Sequence, residues 1–439
     1  MKQVRDSFRL LPLALATCAT TTTLNLKAPA QAAFHDSPKA VLDEAWQIVN
    51  REYVDTSFNQ VDWQTVREDL LSRRYSNTQE AYLALRQELE RLGDPYTRFL
   101  DPEQYRALTS QTSGELSGVG IRLKLDPSSQ ILTVVEPIAN SPASTAGIRP
   151  GDQILEIDGK PTRGMTVEDA SRLIQGEVGT AITLKIQRSG QSPFEMPLTR
   201  ARIELPNVSS VLRQEGSGRI GYIRLTEFSG HAPEQMRRAI QQLLDEGAEG
   251  FVLDLRGNPG GLLQASIEIS RLWLDSGSIV RTVNRTGKSE EIKANQTAVT
   301  QLPLAVLVDG GSASSSEILT GALMDNNRAV VVGSQTFGKA LVQSVHPLSD
   351  GSGLAVTIAH YYTPGGIDIS HRGITPDIEI NLTEGQRRVL AGNQGLIGTL
   401  QDPQYRQAVS ALESTIARRR TSTPPSLGLN VGEETMRSN

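Results

Sequence analysis

Leu304-Ala-Val-Leu-Val-Asp-Gly-Gly-Ser-Ala-Ser-Ser-Ser-Glu-Ile-Leu-Thr-Gly-Ala-Leu-Met324 decides how the chain is read. It opens on an unbroken apolar run short enough for a buried strand; paired glycines then break the pattern, and from Ile318 the apolar residues resume at helical spacing. The unit is strand, turn, helix. A second apolar run, Ala329-Val-Val-Val332, follows and ends in the glycine-bearing segment Thr336-Phe-Gly-Lys339. Upstream, Ile220-Gly-Tyr-Ile-Arg-Leu225 and Gly250-Phe-Val-Leu-Asp-Leu255 read as strands, with helices expected over Glu234 to Glu246 and Leu262 to Leu274. Strands alternating with helices predict an α/β core. Such sheets gather their functional residues at one edge, where the strands end.

Ser314 and Lys339 both follow strand ends of this kind. A serine hydroxyl is a poor nucleophile at neutral pH unless a neighbour takes its proton, and a desolvated, uncharged lysine can do so. Each residue also has a plainer reading: Ser314-Ser-Ser-Glu317 fits a capping box, and an isolated lysine is usually a surface charge. Ser312, Ser315 and Ser316 are rival nucleophiles within the same turn. Arg256-Gly-Asn-Pro-Gly-Gly261 ends another strand, and its glycines leave backbone N–H groups open to a ligand. It lacks the G-K-[ST] ending of a phosphate loop. The five histidines, His35, His231, His346, His360 and His371, have no recognisable triad context. No ligand cluster such as H-E-x-x-H suggests a metal, and no cofactor is expected.

At 439 residues the chain predicts two or three domains. With 44 Lys+Arg against 49 Asp+Glu it carries no basic footprint for nucleic acid. Residues 1–32 read as an export signal: Lys2, Arg5 and Arg9, then the apolar Leu10-Leu-Pro-Leu-Ala-Leu-Ala16, then Ala30-Gln-Ala32 as cleavage site. Leu15-Ala-Thr-Cys18 is a weaker match to a lipoprotein site. The apolar core is too short to span a bilayer, so no stable membrane span is expected. Cys18 is the only cysteine, and cleavage after Ala32 leaves no disulfide and no thiol.

Residues 33–113 read as helical. Leu42, Ala45, Trp46 and Val49, then Tyr82, Leu85, Leu89 and Leu92, follow helical stripes, and Gly93-Asp-Pro-Tyr-Thr-Arg-Phe99 reads as a turn between helices. Over 114–200 the texture changes to short strands divided by turns, with one helix from Thr166 to Gln175. Ala146-Gly-Ile-Arg-Pro-Gly-Asp-Gln-Ile-Leu155 within this stretch resembles a PDZ domain. That resemblance implies a peptide-binding loop at Gly118, Val119, Gly120 and Ile121, presenting N–H groups to a peptide's terminal carboxylate while the peptide adds as a strand.

Asp254-Leu-Arg-Gly-Asn-Pro-Gly-Gly261, Gly311-Ser-Ala-Ser-Ser-Ser-Glu317, Thr336-Phe-Gly-Lys339 with Gln343, and Tyr362-Thr-Pro-Gly365 with Gly373-Ile-Thr-Pro-Asp377 together resemble the carboxyl-terminal processing proteases, also called tail-specific proteases. The likeness runs from about Pro38 to Glu384. It looks most like the cyanobacterial and plastid branch, which includes the processing peptidase of the photosystem II D1 protein. The resemblance implies a multidomain α/β chain: a crotonase-like protease core over 201–384, an inserted PDZ domain and a helical N-terminal segment. Beyond it lies a C-terminal extension over 385–439, whose polar composition predicts a disordered tail. The resemblance also implies Ser314 as nucleophile, Lys339 as general base, Gln343 as the residue orienting the lysine, and Gly260 and Ser315 N–H groups as oxyanion donors. Two departures stand out. Ser315 takes a position where many members have alanine, and Ala340 replaces a glycine that often follows the lysine. The expected function is an exported serine endopeptidase of the periplasm or thylakoid lumen, acting on proteins with free C-terminal tails. Its rivals are a PDZ adaptor with an inactive hydrolase core and an acyl transferase on the crotonase-like fold.

Overall fold

A computed structural model describes residues 37–127, 129–216 and 218–422, with side chains described through 416. The expected export signal, Cys18 and the polar tail lie outside these residues. Ser37 caps α1 (Pro38–Glu52) by accepting from Lys39 N–H, and Pro38 opens the helix where no N–H is needed. Asp62 and Asn77 cap α2 (Trp63–Ser72) and α3 (Thr78–Glu90) in the same way. The predicted stripes meet in one cluster, with Leu42, Trp46, Val49, Leu85 and Leu89 buried. Gly93 (φ 69°) stops α3. The segment that follows is a turn as predicted, but it leads into a short strand, β1 (Arg98–Leu100), before α4 (Pro102–Ser113).

The middle of the chain forms β2 (Glu115–Gly118), β3 (Ile121–Leu125), β4 (Leu132–Pro137), β5 (Gln153–Ile157), α5 (Val167–Ile174), β6 (Ala181–Gln187), β7 (Phe194–Thr199) and β8 (Ala201–Glu204). The order β3-β4-β5-β6-β7 gives an antiparallel sheet around its own core of Leu132, Ile154, Ile182 and Leu184. β3 is an edge strand, and β2 pairs with β8 where the chain enters and leaves.

The remainder comprises β9 (Val208–Glu215), β10 (Gly218–Leu225), α6 (Ala232–Asp245), β11 (Gly250–Asp254), α7 (Leu263–Trp273), β12 (Ser278–Asn284), β13 (Ser289–Lys293), β14 (Leu304–Val308), α8 (Ser315–Asp325), β15 (Val330–Gly333), β16 (Leu341–Pro347), β17 (Gly353–Tyr362), β18 (Ile378–Glu379), α9 (Glu384–Gly392) and α10 (Pro403–Ser422). The main sheet runs β9-β10-β11-β14-β15-β18, parallel from β10 onward. β11 and β14 are buried at every position because both faces are covered. Phe251, Leu253, Val306 and Val308 face α6, α7 and α8, while Val252, Ala305 and Leu307 face α10. In a second sheet β17 pairs with β1, β12 and β16, tying the N-terminal helices to the core. No helix among the described residues is long and apolar enough to cross a membrane.

Candidate active site

Three turns meet beyond the C-terminal ends of β11, β14 and β15. The first is built on Asn258, which is fully buried. Its Nδ2 donates to Leu225 O (2.9 Å), its carbonyl accepts from Ala313 N (3.1 Å) and Ser316 Oγ (2.9 Å), and its Oδ1 accepts from Gly260 N (2.9 Å). Gly260 (φ 105°) lies so close that a Cβ there would be 2.8 Å from Ala313 O and 3.0 Å from Ser314 Cβ. Only glycine fits this approach. The Asp309 carboxylate, on the second turn, accepts from Gly257 N (2.8 Å) and Gly311 N (2.9 Å) and so ties the two turns together.

Ser314 sits at the mouth of α8 with φ 54° and ψ −114°, a conformation that non-glycine residues rarely adopt. Such a conformation persists only where the surrounding structure holds it. The holder is Glu317, fully buried one turn into α8. One carboxylate oxygen accepts from Ser314 N (2.8 Å) and Lys339 N (3.0 Å), the other from Thr336 Oγ1 (2.6 Å) and Gly338 N (2.7 Å). The capping-box reading of Ser314-Ser-Ser-Glu317 is therefore right about the glutamate and incomplete, because the same carboxylate also anchors the lysine's segment. Tyr361 on β17 adds a second link: its hydroxyl donates to Ser314 O (3.1 Å) and lies against Lys339 O.

The rival serines are spent on structure. Ser312 Oγ donates to Leu255 O (2.8 Å), Ser315 Oγ to Gly261 O (3.0 Å) and Ser316 Oγ to Asn258 O (2.9 Å). Ser314 instead lines a cleft of about 320 Å³ together with Gly260, Ser315, Lys339 and Gln343. Among the described residues, no histidine lines it.

Lys339 Nζ donates to Gln343 Oε1 (2.8 Å), and Gln343 Nε2 donates to Tyr96 O (2.7 Å). The ammonium also lies 4.2 Å from the Tyr96 ring centroid. Burial holds the Lys339 pKa below the usual lysine value, the nearby Arg98 pushes it the same way, and Asp94 opposes them. The segment between α3 and β1 therefore belongs to the site, a role that its turn-like sequence conceals. Its own geometry comes from Asp94, whose carboxylate accepts from Tyr96 N (2.9 Å), Thr97 Oγ1 (2.7 Å) and Thr357 Oγ1 (2.6 Å).

Of the two expected oxyanion donors, Ser315 N–H is at the first position of α8, where no intrahelical acceptor exists. Gly260 N–H is turned to Asn258 Oδ1 instead. Ala340, the departure from the family pattern, is buried, and its carbonyl accepts from Tyr361 N (2.9 Å). Gly118, Val119, Gly120 and Ile121 lie apart from the cleft, where β2 passes into the edge strand β3. There Val119 O accepts from Ala143 N (2.9 Å) and Gly120 O from Ile138 N (2.9 Å).

Known proteins resemble this chain over most of its length. A model of peptidase family S41 matches residues 219–380, and a PDZ-domain model matches residues 133–188. A carboxyl-terminal-processing protease of Synechocystis sp. is 46% identical over 351 residues, covering 80% of this chain and 82% of that protein. A chloroplastic carboxyl-terminal-processing peptidase 2 of Arabidopsis thaliana is 43% identical, covering 76% of this chain and 67% of its own. A solved photosystem II D1 C-terminal processing protease superimposes with a TM-score of 0.53 at 35% identity, covering 84% of this chain and 99% of that one. Identity at this level across most of the length settles the relationship: the chain belongs to peptidase family S41 and is a protease of the carboxyl-terminal processing group.

Proposed function

We propose that Ser314 and Lys339 form the catalytic dyad of an exported endopeptidase that cleaves proteins near their C-termini, with the PDZ domain receiving the substrate's tail. The observation that carries this reading is the Lys339 amine, desolvated, hydrogen-bonded to Gln343 and lining one cleft with Ser314. Lys339 in its free-amine form takes the Ser314 proton as Oγ attacks the scissile carbonyl, while Gln343 Oε1 accepts one amine N–H and fixes the direction of the lone pair. The protonated lysine then returns its proton to the leaving amine, and the acyl-enzyme is hydrolysed by water with Lys339 again as base. Ser315 N–H receives the developing oxyanion. Gly260 N–H joins it once the turn releases its bond to Asn258.

The tail-binding role rests on the edge position of β3, which leaves a strand's worth of backbone groups available for peptide addition beside α5. The relatives' chloroplastic and cyanobacterial settings support a lumenal or periplasmic location. The dyad is tested by mutation. Ser314→Ala and Lys339→Ala should each reduce kcat/KM by roughly 10³-fold or more, and the double variant should lose little further, because the pair acts as one unit. Lys339→Arg should be equally inactive, since a guanidinium does not deprotonate in this range. Turnover by Lys339→Arg near the wild-type rate would remove the assignment of base.

A further inference from the structure

The cleft that holds Ser314 contains one carboxylate, and the chemistry above does not use it. Glu227 lines the wall formed by the segment after β10, facing Leu108, Gln111 and Thr112 of α4 in the same cleft. The next residue, Phe228, fixes this wall against the glycine turn: its N–H donates to Gly260 O (2.9 Å) and its carbonyl accepts from Leu262 N (2.7 Å). Glu227 is thereby held beside the turn that flanks the nucleophile. Its Oε1 accepts from Gln111 Nε2 (2.6 Å). Among the described residues, no lysine or arginine forms an ion pair with it. The other charged residues lining the cleft are Arg98 and Lys339.

A carboxylate without a cation, half-buried in a peptide cleft, selects among the side chains that enter. A lysine or arginine of the substrate supplies the missing partner and forms a charge-assisted hydrogen bond. An aspartate, a glutamate or the chain's own terminal carboxylate meets a like charge at reduced dielectric. Burial raises the Glu227 pKa, with Gln111 partly opposing, as expected of a carboxylate that lacks a compensating charge.

We propose that Glu227 is a specificity-determining residue of the catalytic cleft, favouring substrates with a basic side chain near the scissile bond and rejecting acidic ones. The proposal rests on the reading of this cleft as the catalytic one. Rejection of a terminal carboxylate would also keep the end of the tail out of the cleft and so bias the enzyme away from removing single residues.

The test uses the full-length enzyme and peptide sets in which each position flanking the scissile bond is in turn Lys, Gln or Glu. At one position the wild type should prefer Lys to Glu by about tenfold in kcat/KM, which corresponds to ~1.4 kcal/mol. In Glu227→Gln, whose amide oxygen still accepts from Gln111, the Lys-to-Glu ratio should fall to within about twofold, and in Glu227→Lys it should invert. The ratio is internal to each variant, so a general loss of activity does not mimic it. No charge preference at any position in the wild type, or an unchanged ratio in both variants, overturns the proposal. Cleavage that survives Ser314→Ala would instead remove the catalytic reading, an outcome the charge ratio does not produce.

Discussion

At the scale of single residues, the proposed base depends on cations and dipoles placed around it. Arg98 disfavours the ammonium form of Lys339 and so keeps more of it as free amine. Removing that cation makes protonation easier and raises the lysine pKa. Arg98→Gln should therefore shift the rise of kcat/KM with pH to more alkaline values, with lower activity at neutral pH and convergence toward the wild-type plateau above it. A profile that falls in height without moving along the pH axis would assign Arg98 to substrate binding alone. Glu317 supports the Ser314 and Lys339 segments at once. In Glu317→Gln the amide nitrogen must face donors that now lack an acceptor, each at ~1–3 kcal/mol, so activity should fall by at least about a hundredfold while thermal unfolding stays cooperative but begins lower. Ser314 and Lys339 are legible in the sequence because each follows an apolar run and a glycine turn. Glu317, Asn258 and Tyr361 are not legible as site residues, because what they hold together is brought close only by the sheet.

At the scale of elements, the proposed tail-binding groove is the testable unit. β3 offers its free edge, and α5, capped by Thr166 in a box with Asp169, forms the other wall. Gly120 cannot be used to probe it: at φ 79° a Cβ would lie 2.3 Å from Ser141 Cβ, so any substitution breaks the loop. Gly118 is suitable, since a Cβ there comes no closer than 3.7 Å, to Ile174 O. If the loop reads a carboxylate, amidating a substrate's C-terminus should lower wild-type kcat/KM by about tenfold, and Gly118→Ala should reduce that penalty. Equal cleavage of free and amidated peptides would end the claim of tail specificity while leaving the dyad intact. The strands around this groove are legible from turn residues and alternation, whereas β1 is not. Three residues carry too little periodicity, and only pairing with β17 makes them a strand.

At the scale of the whole molecule, the C-terminal extension completes the protease core. Tyr405, Ala408, Val409, Leu412 and Ile416 recur at helical spacing along α10 and cover the face of the main sheet that α6, α7 and α8 leave open. Next to this helix Arg256 is buried between two carboxylates, donating to Asp254 Oδ2 (2.6 Å) and Asp402 Oδ2 (2.7 Å), while Tyr222 donates to Asp254 (2.7 Å). Burial alone would raise the Asp254 pKa, but Arg256, helped by the Tyr222 hydroxyl and by Arg224, more than offsets it, and the net direction is down. Asp254 therefore contributes stability that is present at neutral pH and lost only as pH falls through its depressed folded-state value. Arg256→Met removes the cation and leaves two buried acids unpaired, at ~3–5 kcal/mol, which should lower the unfolding midpoint by roughly 10 °C at pH 7. The pH dependence should then reverse. Without Arg256, burial dominates at Asp254, which is then more easily protonated folded than unfolded, so the variant gains stability as pH drops from 7 toward 5 and its deficit against wild type narrows. Arg256→Met combined with Asp254→Asn and Asp402→Asn should recover part of the loss and abolish that narrowing. A deficit that stays constant across this pH range would mean that the arginine holds α10 by packing, not by charge.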